Sequence, residues 1–376
     1  MIFKNKFLLL LAPAAGIILF LRPVSDPGKQ WFDKKKPEII IMFTGTGSGE
    51  LENAHLAIIN KSNFSARFIS IPPGMHVPEG KDQYIPLYGA YSISRNNFIS
   101  RVEKLLALRC DYYAECRREK TAELAKIFGG CLYFNEGENT NFDKGLVYID
   151  SSRIVSYTEG ISTRLDKNDA EFSLWYNMFL QNSHLTNQKN LESVSRRLRR
   201  SLITDIPPED FNFFFNILMK NFDLINISYS RLNITRQAMH GDSNFSIDAP
   251  LENGEYDRNK IREIIRELAE VNPKYRLFPL IIQVKNATAY SRIAARTAGI
   301  LRYKKCNAVE YGNLDFRYPW SVLIDRSGSP LKRQYLQKAA GIYPQIYKYS
   351  YLKNFDSTVI IGEDHYAVTE EKQRLR

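Results

Sequence analysis

Three sets of residues have the types and spacing that chemistry requires. The first is Thr44-Gly45-Thr46-Gly47-Ser48-Gly49, directly after an apolar run. Glycines there would let backbone N–H groups approach an anion at a helix start. The spacing is Gly-x-Gly-x-Gly rather than Gly-x-Gly-x-x-Gly, and no Lys-Ser or Lys-Thr follows as in a P-loop. A plain flexible loop is therefore expected. The second set is Arg196, Arg197, Arg199 and Arg200. Such a run is ordinarily a solvated helix face. Its crowding also makes it a candidate membrane or polyanion surface, for lipid headgroups or glycan phosphates. The third is the five histidines, His55, His76, His184, His240 and His365. No pair has helical ligand spacing, so no metal site is expected. Cys110, Cys116, Cys131 and Cys306 form no Cys-x-x-Cys pair. Buried free thiols are expected, with one disulfide among the first three open in an oxidising compartment. No Gly-x-Ser-x-Gly elbow occurs, and no residue is nominated as catalytic.

The elements that must position these residues begin with an uncharged run from Phe7 to Leu21, preceded by Lys4 and Lys6. About 15 residues rise roughly 22 Å as a helix, short of a ~30 Å bilayer core. A cleaved signal peptide and an uncleaved anchor both need a basic start and an apolar centre. Leu21-Arg22-Pro23-Val24-Ser25 lacks small residues at the spacing that cleavage needs, and Ala12, Ala14 and Ala15 lie inside the run, which favours an anchor over residues 1–22. The expected protein is thus single-pass in the cytoplasmic membrane, with its bulk on the extracytoplasmic side. Residues 23–37 read as a tether. The remainder suffices for two domains. A formal charge of +11 suits acidic surroundings, and export would exclude nucleic acid.

Glu38–Phe43 reads as a strand buried on both faces. Leu56–Ile59 and Arg67–Ile71 read as further strands, stopped by Pro72-Pro73-Gly74. Phe98, Val102, Leu105 and Leu106 recur at helical spacing, and Tyr112–Cys116 is extended. A helix through Ala122–Phe128 ends at Gly129-Gly130. Cys131–Phe134 is a strand, Ala170–Leu180 and Pro207–Lys220 are helices, Ile225–Ser230 is a strand and Arg258–Glu270 a helix. Val271–Pro279 reads as a linker. Beyond it come strand Leu280–Lys285, a helix through Ile293–Leu301, strand Val322–Ile324, helix Leu331–Ala340 and strand Thr358–Ile361. Mixed α/β in two blocks is the fold class.

Two blocks resemble known families. Ile281-Ile282-Gln283-Val284-Lys285-Asn286-Ala287-Thr288, an Ala-rich helix, Val309-Glu310-Tyr311-Gly312-Asn313, Val322-Leu323-Ile324 and Ile360-Ile361-Gly362-Glu363-Asp364 together resemble the LytR C-terminal domain. That family reads strand–Asn-Gly-Thr–helix–strand–Gly-Asn–strand and closes on Gly-x-Asp; Ala287 replaces its Gly. Upstream, Phe68-Ile69-Ser70-Ile71-Pro72, Val102–Leu106, Asp111-Tyr112-Tyr113, Phe128-Gly129-Gly130 and Ile149-Asp150 through Val155-Ser156-Tyr157 keep the order of the LytR-CpsA-Psr domain. The resemblance implies residues 38–270 as a mixed-sheet α/β domain of that kind, 271–279 as linker, 280–366 as a small α/β LytR C-terminal-like domain and 367–376 as tail.

The resemblance also implies a reaction. Such proteins move a phosphate-linked glycopolymer from a polyprenyl pyrophosphate carrier to the cell wall. Arginines hold the pyrophosphate, aspartates bind magnesium, and an apolar pocket takes the lipid. This sequence departs at the charged positions: Pro73-Gly74 stands for Arg-Asp, Asn53 for an aspartate and Glu159 for an arginine, while Phe172-Ser173-Leu174-Trp175-Tyr176 has no arginine. Losing one electrostatic donor costs ~3 kcal/mol, and Arg-to-Glu repels phosphate outright. The expectation is a non-catalytic binding or scaffold module in cell-wall biogenesis, with no cofactor. Its partners would be the membrane and a polyprenyl-linked glycan or peptidoglycan. The alternative is a divergent, magnesium-dependent phosphotransferase, in which Arg95, Arg153 and Arg164 supply the anion site.

Overall fold

In the computed structural model, the described residues are 38–60, 65–80, 83–106, 108–161, 164–182, 188–220, 226–232, 235–238, 246–249, 251–252, 255–256, 279–342, 345–349 and 354–364. The expected anchor and tether, the helix Arg258–Glu270 and most of the linker lie outside them. Among the described residues no helix is long and apolar enough to cross a membrane.

The first sheet starts with β1 (Glu38–Gly47) and β2 (Glu50–Asn60), an antiparallel pair. The apolar run Ile39–Met42 has no charged residue, and all four side chains are buried. Ser48 and Gly49 both take positive φ, 53° and 83°. A two-residue hairpin whose central residues are both left-handed matches the right-handed strand twist. The expected flexible loop is therefore corrected: Thr44–Gly47 continue the strand, and only two residues turn. The physical reason is alternation. Thr44 and Thr46 send their hydroxyls to Tyr113 and Glu115 on one face, while Gly45 and Gly47 leave room on the other for the side chains of Asn53 and Glu52.

β3 (Ser65–Ser70) follows, then a hairpin of β4 (His76–Gly80) and β5 (Gln83–Pro86). Helices α1 (Leu87–Ile93) and α2 (Arg95–Leu106) precede β6 (Tyr112–Arg117). Helix α3 (Arg118–Phe128) starts at once and ends at left-handed Gly129, whose N–H returns to the Ala125 carbonyl at 3.0 Å. β7 (Cys131–Asn135) and β8 (Gly145–Ile149) pair antiparallel. Next come α4 (Ile154–Glu159), α5 (Arg164–Gln181), α6 (Gln188–Ser201), β9 (Ile203–Thr204), α7 (Pro208–Lys220) and β10 (Asn226–Arg231). The sheet order is β10-β3-β2-β1-β6-β9, with β1/β6 and β10/β3 parallel. Short pairs β11 (Thr235–Ala238) with β12 (Ser246–Ala249) and β13 (Leu251–Glu252) with β14 (Glu255–Tyr256) follow.

The two faces of this sheet differ. One packs Met42, Leu56, Ile58 and Ile69 on Phe98 and Val102 of α2. The other gathers Ala66, Phe68, Ile227 and rings of α5.

The C-terminal block is built from β15 (Ile281–Asn286), α8 (Ile293–Tyr303), β16 (Asn307–Asn313), β17 (Val322–Asp325), α9 (Pro330–Ala340), β18 (Gln345–Tyr347) and β19 (Ser357–Ile361). Its strand order is β16-β15-β19-β17-β18. Ser329 caps α9, and Pro330 occupies the first turn, where no N–H is needed. Both sheets belong to one compact unit, Glu38–Arg376. Asn177 of α5 donates to the Tyr347 carbonyl at 2.7 Å and accepts from its N–H at 2.8 Å. Lys348, only 6% exposed, pairs with Glu136 at 3.1 Å and Glu138 at 2.7 Å. Buried Arg326 also reaches Glu136, at 3.1 Å.

Candidate functional site

Charged side chains collect at the ends of the parallel pair β1/β6, on both faces of the sheet. In parallel pairs of open α/β sheets, ligands settle at the carboxyl ends of strands.

On the α2 face stands Glu115, 3% exposed. A carboxylate so deep needs donors, and it has several. Tyr113 and Tyr91 donate hydroxyls at 2.8 and 3.0 Å, and Thr46 donates at 3.3 Å. Arg95 pairs with it at 3.2 Å, and Arg117 at 3.8 Å. The Arg95 guanidinium also lies 4.7 Å from the Tyr113 ring centroid. Burial and the neighbouring carboxylate push the Tyr113 phenol far up, so it stays a donor. Both guanidiniums remain partly in solvent while one buried carboxylate fixes their orientation.

On the α5 face, Asn53 donates to Glu171 at 2.7 Å. Glu52 is paired with Arg118, the first residue of α3, and Arg118 reaches Glu159 at 3.0 Å. Burial pushes the Glu171 carboxyl up to about 7, with Lys167 and Arg118 opposing the rise and Glu52 adding to it. Burial likewise pushes the Cys116 thiol up to about 11 and Cys131 up to about 12. All four cysteines are free.

A strip of rings begins beside this polar cluster. Glu171 and Phe172 are adjacent on α5. Phe172 lies 5.1 Å from Phe68 and stacks on Tyr229 at 4.2 Å, and Phe68 lies 6.3 Å from Phe43, the neighbour of Thr44. His55 also flanks Tyr229, at 6.0 Å, and burial lowers its pKa to about 4, which keeps it neutral. Polar cluster and apolar strip thus run end to end on one sheet face.

The candidates read from sequence are distributed as follows. Arg95 joins Glu115. Arg153 lies elsewhere, donating to the Tyr148 carbonyl at 3.0 Å with its guanidinium 4.8 Å from the Phe142 centroid. Arg164 opens α5, and its side chain is outside the described residues. On α6, Arg196 pairs with Glu192 at 2.6 Å, and Arg199 donates twice to the Ile206 carbonyl, at 3.2 and 3.1 Å. Arg197 and Arg200 are the exposed remainder. Glu115, Arg117, Arg118 and Glu171 were not singled out from sequence. One signal was there: a carboxylate at Glu115 within the otherwise apolar Tyr112–Cys116 run, where acids are rarely buried unless paired.

Magnesium, which the resemblance implies for transfer, does not fit these residues. Asn53 turns an N–H toward Glu171 where a metal ligand would turn an oxygen. Among the described residues no group of three or more His, Cys, Asp or Glu is arranged to hold a metal ion.

Fold and site define a mixed-sheet α/β protein with an amphipathic site at its strand ends. Its fold is similar to that of solved proteins at low sequence identity. A solved Streptococcus agalactiae protein matches with a TM-score of 0.51 at 12% identity, covering 62% of this chain and 89% of that one. Bacillus subtilis TagV matches with a TM-score of 0.48 at 15% identity, covering 62% and 97%. A structure of TagT bound to LI-WTA matches with 0.49 at 14% identity, covering 63% and 91%. No protein-family model and no curated protein matches the sequence.

Proposed function

We propose that this protein is a LytR-CpsA-Psr-like module of the cell envelope that binds a polyprenyl-linked glycan and does not transfer it. The observation that carries this is the adjacency of Glu171 and Phe172. One turn of α5 places a hydrogen-bonding cluster and an aromatic strip end to end. An amphipathic ligand would lay its lipid along the rings and its glycan over Asn53, Glu52 and Glu171. Carboxylates and an amide suit sugar hydroxyls. The same groups oppose phosphoryl transfer, because Arg118 is already engaged by Glu52 and Glu159. Transfer would need cationic donors free to follow charge as it develops.

This reading takes residues 1–22 as a single-pass anchor in the cytoplasmic membrane with the mass outside, which keeps a lipid-binding slot near the bilayer. It takes 280–366 as a LytR C-terminal-like unit, and it assigns no cofactor. The test is saturable binding of a polyprenyl-linked glycan by the full chain, lost in Phe172→Ala and kept in Phe172→Leu.

A second reading is favoured by one observation. Arg95 and Arg117 converge on Glu115 at the same strand ends, still partly exposed. A divergent phosphotransferase could use such a pair. That reading requires turnover that falls at least a hundredfold in Arg95→Ala.

A further inference from the structure

Helix α8 packs on β15 and β16 through Ala294, Ala298 and Leu301, which are buried in the core of the C-terminal block. Its opposite stripe carries Arg296, Ile300 and Tyr303, at i, i+4 and i+7, and all three are exposed. The stripe runs on into Lys304 and Lys305, also exposed. From Ala287 to Val309 the chain has no Asp or Glu but five cations, Arg292, Arg296, Arg302, Lys304 and Lys305. Among the described residues none of the five meets a carboxylate. Arg302 donates to the Ala308 carbonyl at 3.0 Å and Lys304 to the Ala339 carbonyl at 2.7 Å, bonds that leave their charge in place. The acid that follows, Glu310, is taken by Lys285 at 2.9 Å.

This uncompensated charge is interleaved with apolar surface. Tyr303 is 91% exposed, and Ile300, Val309 and Tyr311 stand out of the same segment. The Arg302 guanidinium lies 5.6 Å from the Tyr311 centroid, which joins the helix to the edge strand β16. Arg292 and Arg296 also line an open cavity of about 600 Å³, which has room for a headgroup phosphate. A solvated helix face needs charge, but it gains nothing from bare Ile and Tyr side chains beside it. A soluble polyanion would meet the cations and leave those side chains in water. An anionic bilayer meets both: cations reach the headgroups, Tyr rings lie at headgroup level, and Ile sits below them.

We propose that the outer face of α8, from Arg292 to Lys305, docks on the surface of an anionic bilayer. The inference is independent of what the first block binds, and it adds a second membrane contact to the N-terminal one in the reading above. Each Lys or Arg near such a surface strengthens the attraction about fivefold. Removing three should lower the ratio of docked to undocked protein about a hundredfold.

The test places an environment-sensitive fluorophore on Tyr303→Cys in the full chain, mixed with vesicles that carry a spin-labelled quencher lipid. The same label on Glu123→Cys, an exposed position on α3, is the reference, and the unsubstituted chain treated alike gives the background from native thiols. In phosphatidylglycerol vesicles the probe at Tyr303→Cys should be quenched at least threefold more than at Glu123→Cys. The excess should vanish in phosphatidylcholine, in about 0.5 M salt, and when Arg296→Gln, Lys304→Gln and Lys305→Gln are combined. If that variant melts below the assay temperature, the salt arm carries the same comparison. Equal quenching at both positions overturns the proposal, and so does an excess that is indifferent to lipid charge. Protection of the probe by soluble polyphosphate without quenching in vesicles assigns the patch to another partner and also overturns it. Failure of the chain to float with phosphatidylcholine vesicles overturns the N-terminal anchor instead, and the phosphatidylglycerol arm still decides this inference.

Discussion

Asn53 on β2 and Glu171 on α5, 118 positions apart in sequence, share a 2.7 Å hydrogen bond in which the amide donates and the carboxylate accepts. Asn53 stands where the family resemblance implies a magnesium-binding aspartate. One partner is an amide, and the other is a carboxyl pushed up to about 7 by burial.

That pair makes a pH prediction. Glu171 rises from an ordinary 4.5 to about 7 in the folded protein. Between those values the folded state binds more protons than the unfolded one, so stability falls as pH rises through that window. Glu171→Gln removes the titration. Its melting temperature relative to wild type should therefore increase from pH 4.5 to pH 7, and thermal melts across that range check it. A parallel pair of curves would place the titration elsewhere.

The joint between the blocks makes a stability prediction. Asn177→Ala deletes two hydrogen bonds and leaves the buried Tyr347 N–H and carbonyl without them. An unsatisfied buried polar group costs ~1–3 kcal/mol, so a loss of about 2–5 kcal/mol is expected in denaturant melts. Lys348→Ala should be at least as severe, because it removes the cation from Glu138 and leaves Glu136 with Arg326 alone, at ~3–5 kcal/mol for a broken buried pair. Both variants should unfold in one transition rather than two if the blocks share a core.

On the opposite sheet face, Glu115→Gln keeps the shape but removes the charge that both Arg95 and Arg117 approach. Burial makes this more than a surface pair, and ~1.5–3 kcal/mol is expected for its charged hydrogen bonds. Arg196→Ala on α6 should by contrast cost under about 1 kcal/mol, since its pair with Glu192 is solvent-exposed. Paired urea titrations separate the two.

Much of the fold was legible in the chain. The apolar run Ile39–Met42, the spacing of Phe98, Val102 and Leu105, and Gly129 after Phe128 all encode local structure, and local structure followed. The glycine-rich segment misled because its function as a strand depends on partners far away. Gly45 is small to admit Asn53, and Gly47 to admit Glu52, not to wrap a phosphate. The site was less legible for the same reason. Arg118 meets Glu52 and Glu159 only once β2, α3 and α4 are assembled, and no local pattern announces that meeting. Arg199 looked like part of a charged surface, yet its guanidinium ties α6 to the Ile206 carbonyl.

The central claim is binding without transfer. It is tested most directly by incubating the full chain, in nanodiscs with magnesium, with a radiolabelled glycopolymer on a polyprenyl pyrophosphate carrier and a peptidoglycan acceptor. Bound label and released polyprenyl phosphate are followed together. Saturable retention of intact carrier-linked glycan is expected, with no release above a protein-free control. Release that saturates with substrate and disappears in Arg95→Ala or Arg118→Ala would contradict it.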